Sequence, residues 1–185
     1  MSTATQNLVA LGRGQVSVRA LSGAAHVLVT SAIGTEETVS ALSETCSSDI
    51  PSEPGWVRET ASCTAFWLTP RSWLLRLPVK GEAMVLDLIG LGFPDRQVHA
   101  TPYSDALQWI SIAGPGAEAL LARGGFVSLS VEGFPAGRFK RTLMIDVPLL
   151  IWRRDKDLWE IGCERSRAQY FEDWIESTIA VSDTV

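Results

Sequence analysis

The stretch Trp109 to Gly125, WISIAGPGAEALLARGG, carries the most suggestive chemistry in the chain. A short apolar run ends in Gly114-Pro115-Gly116 and opens into a helix-like segment, giving G-x-G-x-x-A, one letter from a dinucleotide-binding turn. Such a turn works by pointing backbone N–H groups at a pyrophosphate from a helix N-terminus. Here the middle residue is Pro115, which has no N–H, and Glu118 would repel a phosphate placed at the first helical turn. No parallel strand–helix series follows, and the acidic residue due about 20 positions on could only be Glu132. The pattern reads as a corner: Gly114 turns the chain, Pro115 starts a helix at its favoured first position, and Gly116 permits close approach.

Other reactive types are sparse. His26 and His99 stand far apart with no H-x-x-x-H or H-x-E spacing, so no metal site is expected. A nucleophile needs an activated Ser or Cys with a His in reach, and there is no G-x-S-x-G elbow or family-type Cys signature. Asp87, Asp105 and Asp146 could meet in space as paired carboxylates, but each reads first as a surface or turn group. Cys46, Cys63 and Cys163 are odd in number and form no C-x-x-C, which suggests buried thiols in a reducing compartment. The expectation is no catalytic residue, no cofactor-binding residue and no metal ligand in this chain.

What the chain has in surplus is aromatic and apolar surface. Of 185 residues 46% are hydrophobic, 20% are charged and seven are Trp. A monomer of this size exposes on the order of 8,700 Å², more than so little charge covers comfortably, so part of the apolar excess is expected to meet a partner. Trp67 and Trp73 lie on one expected hairpin, Trp152 and Trp159 on another, and Trp109 and Trp174 in a strand and the last helix. Core packing is the first reading for most of them, and adhesion to a partner the alternative, since Trp is enriched at interface hot spots. The net charge of −5 argues against nucleic acid. The basic clusters GRFKR (137–141) and WRRDK (152–156) read as solvated strand ends. The N-terminal segment lacks signal-peptide character, and no apolar stretch approaches the ~20 residues of a membrane helix. A cytoplasmic protein without a membrane role is expected.

The elements that would position these groups alternate irregularly. Residues 1–14 read as a flexible arm, QVSVRAL and AHVLVTS as strands, and GTEETVSALSETC as a helix capped by Thr35, with Val39, Leu42 and Cys46 on one face. Residues 47–60 read as a loop. CTAFWLT and SWLLRLP flank a Pro70-Arg71 hairpin turn, and GEAMVLDLIGLGFP follows as a helix. Residues 107–112 form a strand, with Ala117, Leu120 and Leu121 the core stripe of the next helix. GFVSLSVEGFPAGR suggests a short strand and a turn. RTLMIDVPLLIWRR and LWEIGC then surround the turn 155–157, with Pro148 marking a bulge or an edge. Ser166 and Gln169 suggest a capping box for a last helix through Thr178. The expected class is α+β, mostly antiparallel sheet with helices on one face. It forms one compact domain over 15–179, built of halves near 15–95 and 105–179, before a frayed tail at 180–185.

Three segments together resemble a known family. AFWLTPRSWLLRLP resembles the W-L-G-P-D-E-W-L-L hairpin of the gamma subunit of heterotetrameric sarcosine oxidase. WISIAGPGAEALLARG is similar to that family's strand–Gly-Pro–helix segment, shared more loosely with the folate-binding domain of aminomethyltransferase. The stretch from Phe134 to Glu176 resembles the ending P-x-G-R…T-L…V-x-L-W-R…F-x-L…R-S-x-A-x-Y…W-L. The likeness spans roughly 15–178, and departs at ATPYSDALQWI, where Thr101-Pro102-Tyr103-Ser104 replaces the usual acidic V-D-x-S-x-x segment.

The resemblance implies a fold like the folate-binding domain and a non-catalytic subunit docked chiefly on the large alpha subunit, with beta and delta subunits also present. Such complexes demethylate sarcosine oxidatively to glycine, yielding hydrogen peroxide and either formaldehyde or methylenetetrahydrofolate. FAD, FMN, NAD and tetrahydrofolate are expected on the larger subunits and zinc on the smallest, none on this chain. The alternative is a stand-alone folate-binding or one-carbon transfer protein of the same fold, for which Asp105 or Glu132 would have to reach the pterin.

Overall fold

A computed structural model describes residues 16–47, 49–92, 97–125 and 128–182; the expected arm at 1–14 lies outside them. In chain order the elements are β1 (Ser17–Leu21), β2 (Ala24–Ser31), α1 (Thr35–Cys46), β3 (Val57–Glu59), β4 (Thr64–Thr69), β5 (Ser72–Pro78), α2 (Glu82–Gly92), β6 (Val98–Pro102), β7 (Leu107–Ala113), α3 (Ala117–Ala122), β8 (Phe139–Met144), β9 (Val147–Asp155), β10 (Leu158–Glu164) and α4 (Arg165–Ser182). The chain divides into two units, Gly23–Asp105 and the described part of Met1–Ser22 with Ala106–Val185. The class is α+β: each unit holds one five-stranded antiparallel sheet.

In the unit Gly23–Asp105 the strand order is β3-β4-β5-β2-β6. Period-2 alternation puts Val27 and Val29 of β2, Trp73, Leu75 and Leu77 of β5 and Ala65 of β4 on one face. Leu42 of α1 with Val85 and Ile89 of α2 close that face, and Val39 and Cys46 pack beside them as expected. The β4–β5 hairpin turns at Pro70-Arg71, with Thr69 and Ser72 hydroxyls 2.7 Å apart across its mouth. Residues 57–59 of the expected loop form β3, whose three residues are too few for alternation to register. Thr35 is not the cap of α1. Gly34 occupies that position, and the Thr35 hydroxyl donates instead to the Pro70 carbonyl at 2.8 Å.

In the other unit the order is β1-β7-β10-β9-β8. Ile110, Ile112, Leu149, Ile151, Trp159 and Ile161 point to one face, where Ala117, Leu120 and Leu121 of α3 and Ala168, Phe171, Ile175 and Ile179 of α4 pack on them. One turn was not legible: RTLMIDVPLLIWRR is not one strand but β8 and β9, joined through Ile145 and Asp146 at φ 45° and 62°. Paired positive φ values are the signature of the tight turn that matches strand twist, and Ile-Asp gives no hint of it. Pro148 sits neither at a bulge nor on an edge strand; β9 is interior. Its pairing with Leu143 falls one step from the turn, and β10 first pairs β9 at Leu149, so no ladder bond is lost there.

Two further expectations are corrected. Of GFVSLSVEGFPAGR, residues 126 and 127 lie outside those described, and 128 and 129 take no regular structure where a strand was expected. Turns follow, the Pro135–Gly137 turn forms as expected, and Arg138 bridges to Arg153. Ser166 lies inside the first turn of α4, and the Gln169 amide donates forward to Asp173 at 2.8 Å, so no capping box forms around it. That helix also continues past Thr178 to Ser182.

Candidate functional site

The glycine turn is committed to structure. Gly114 takes φ 117°, which only glycine adopts easily, and its N–H donates to the Asp157 carbonyl at 2.9 Å. Ala117 N–H closes back on the Gly114 carbonyl at 3.0 Å. Glu118, the acid of the first turn, pairs with the Arg153 guanidinium at 3.0 Å. The helix that follows has only six residues and starts at Ala117 with Gly116 as its cap, so Pro115 precedes it within the turn and does not fill its first position.

The histidines both belong to the sheet of Gly23–Asp105. His99 on β6 pairs with Thr30, four residues along β2 from His26, which separates their backbones by roughly 13 Å. Buried His26 has its ring pKa pushed down to about 4, by burial first and by the Arg76 charge second. Its main-chain N–H donates to Ser104 Oγ at 2.9 Å, and Ser104 Oγ in turn lies 3.3 Å from Glu82 Oε2. The structure thus brings His26, Ser104 and Glu82 together, but the serine serves the histidine's main chain as a clasp for the segment after β6. Among the described residues no group of three His, Cys, Asp or Glu could hold a metal.

Two of the thiols, Cys46 and Cys163, are poor nucleophiles. Burial raises Cys46 to about 11, and Cys163 reaches about 11 through burial first and then the nearby charges of Glu172 and Glu164. Thiolate, the reactive form, is scarce at such values. Asp87, Asp105, Asp146 and Glu132 are all exposed. Asp87 and Asp105 belong to Gly23–Asp105, and Asp146 and Glu132 to the other unit. A pterin needs an acid presented from within a pocket wall; Asp105 and Glu132, each on an exposed turn, do not fit that part.

The tryptophans follow the core reading more than the adhesive one. Trp73 and Trp159 are fully buried, and Trp109 and Trp152 nearly so. Trp73 Nε1–H donates to the Pro51 carbonyl at 2.8 Å, and Trp109 lies against Gly162, its partner across the ladder. Trp67 and Trp174 are partly buried against the two cores. The large hydrophobics that are exposed among the described residues are Val79, Val131, Leu143, Tyr170 and Val181.

Sequence reasoning missed the arginines of β9. In WRRDK, read as a solvated strand end, Arg153 is 1% exposed, and Arg154 bonds the buried Glu160 at 2.8 Å. The signal was present: Leu149, Ile151 and Arg153 share one face by alternation. A second missed group is Glu172, whose carboxyl is raised above the usual range, chiefly by burial and despite a 2.5 Å bond from the Gln108 amide.

No family model matches the chain. It is 26% identical over 151 residues to the sarcosine oxidase subunit gamma of an Arthrobacter species, covering 80% of this chain and 66% of that protein. It is 24% identical over 163 residues to the sarcosine oxidase subunit gamma of Corynebacterium sp. strain P-1, covering 88% and 79%. The chain is a relative of the sarcosine oxidase gamma subunits. The match spans just under two thirds of the Arthrobacter protein's length. Among solved structures, a chain of heterotetrameric sarcosine oxidase from Corynebacterium sp. U-96 has the same fold, with TM-score 0.82 at 18% identity over 93% of this chain and 87% of that one. The glycine cleavage system aminomethyltransferase T of Bartonella henselae shares it with TM-score 0.64 at 12% identity, over 88% of this chain and 46% of that one.

Proposed function

We propose that this chain is a non-catalytic gamma-type subunit of a heterotetrameric sarcosine oxidase complex. The complex would demethylate sarcosine oxidatively to glycine, with hydrogen peroxide and formaldehyde or methylenetetrahydrofolate as co-products. The observation that carries the reading is likeness to gamma subunits over 80% and 88% of the chain, with a matching fold. The state of the reactive side chains supports it: the phosphate-like turn at Gly114 is spent on a corner, burial keeps the Cys46 and Cys163 thiols protonated, and Asp87, Asp105, Asp146 and Glu132 are exposed.

In this reading the subunit docks chiefly on the large alpha subunit, with beta and delta completing the assembly. FAD, FMN, NAD and tetrahydrofolate belong to the larger subunits and zinc to the smallest. An obligate interface of this kind buries on the order of 2,000 Å² or more in total. The compartment would be the cytoplasm; no described helix is long and apolar enough to cross a membrane.

Native mass spectrometry of the protein drawn from its source organism, together with co-expression beside its presumed partners, tests this. The chain should travel with flavin-bearing subunits in fixed ratio, and the isolated chain should carry no flavin absorbance and oxidise no sarcosine. A well-behaved lone monomer that never co-purifies with a flavoprotein would overturn the proposal.

A further inference from the structure

We infer that Arg153 is a latch that holds the surface strap Ser128–Phe134 shut, and that this strap opens when the side chain lets go while Gly137 and Arg138 stay paired with the Arg153 main chain. The inference stands independently of the proposed function. Arg153 projects from the core face of β9, almost wholly out of solvent. One terminal nitrogen donates to the Leu129 carbonyl at 2.7 Å and the Phe134 carbonyl at 3.1 Å. The other donates to Glu118 Oε2 and the Lys156 carbonyl, both at 3.0 Å. A single planar fork therefore ties the strap at two points to helix α3 and to the β9–β10 turn, a geometry no other cationic side chain can reproduce.

The aromatic stack beneath reinforces the assignment. The guanidinium lies over the Trp159 ring at 4.7 Å, Phe134 meets that ring edge-on at 5.4 Å, and Lys140 Nζ sits 4.6 Å from the Phe134 ring while donating to the Gly133 carbonyl. Leu129 and Phe134, the two apolar residues buried from the strap, are the same two whose carbonyls the arginine grips. Anchoring by side chain and by main chain thus coincides at each point, which is the arrangement of a two-state closure. With the arginine gone, buried carbonyls lose their donors together, and an unsatisfied buried acceptor is far costlier than a solvated one.

The test is native-state hydrogen exchange on the full chain carrying Arg153→Lys, with Glu118→Gln as a milder second variant. The probes are the strap amides, chiefly that of Phe134, which donates to the Ser130 carbonyl at 2.7 Å, against those of Gly137, β9 and β10. In Arg153→Lys the strap amides should exchange about tenfold faster or more while the sheet amides hold, and Glu118→Gln should move them the same way by less. Unchanged strap protection in a folded Arg153→Lys chain overturns the latch. So does parallel loss in strap and sheet, which would make Arg153 a general stabiliser. If Arg153→Lys does not fold, Glu118→Gln decides on the same two criteria.

Discussion

A buried histidine ring held neutral makes folding sensitive to acid in a definite window. Above pH 6.5 His26 is uncharged in both folded and unfolded chains, so it adds no pH dependence. As the pH falls below 6.5 the unfolded chain takes up a proton, while the folded ring refuses one until about pH 4. Stability should therefore drop across that interval by up to ~3 kcal/mol from this group. Urea unfolding of the chain and of a His26→Gln variant at pH 7.5 and pH 4.5 isolates the term, because other titrations cancel in the difference. Equal losses in the two proteins would show that the ring titrates normally. Gly162 offers a steric counterpart. A Cβ there would lie 2.8 Å from the Trp109 ring, and overpacking of this kind costs ~1–3 kcal/mol. Gly162→Ala should lower the thermal midpoint, and a Trp109→Phe change should recover part of the loss in the double variant. Full additivity would mean that the two side chains do not press on one another.

Elements closed by local chemistry were readable, and those closed by distant partners were not. Pro70-Arg71 and Asp155-Lys156-Asp157 lie between clear apolar runs, and both hairpins formed where the sequence put them. The helical stripes of α1 and α3 likewise follow from 3.6-residue spacing alone. The β8–β9 turn escaped notice because Ile145-Asp146 is not a dipeptide that favours positive φ. A branched residue held at φ 45° is strained, and it persists because Ile145 packs on the core and its N–H bonds the Gly124 carbonyl at 2.7 Å. Asp146, exposed at φ 62°, belongs to no core, and its main chain is held by the Arg167 guanidinium, which donates to its carbonyl at 3.0 Å. Replacing it with glycine should stabilise the chain by roughly 0.5–1 kcal/mol, read as a higher urea midpoint at unchanged slope; a lower midpoint would mean that the aspartate side chain holds the turn.

At the scale of the molecule, the order of strands in space separates what the chain keeps together in sequence. Leu21, the last residue of β1, pairs directly with Trp109 of β7, so everything from Gly23 to Asp105 is an insertion in the connection of one hairpin. Alternation identified β1 as a strand, yet nothing in a five-residue segment says that its partner lies some ninety positions away. The glycine turn was legible as a corner in part: Gly114 takes the positive φ that glycine allows and Glu118 pairs with Arg153, but Pro115 precedes the helix where the sequence put it at the start. The buried arginine latch was hidden behind the charged look of WRRDK. This topology makes a prediction that local readings would not. Val18 is 4% exposed and belongs to the core of the unit formed with residues 106–185, not to the core of the residues that follow it. Val18→Asp should therefore strip hydrogen-exchange protection from β7 and β10, by the several kcal/mol that an unpaired buried charge costs, while β2 and β5 keep theirs because their ladder and core contain no residue before Gly23. Protection lost first in β2, with β7 untouched, would put β1 in the wrong sheet.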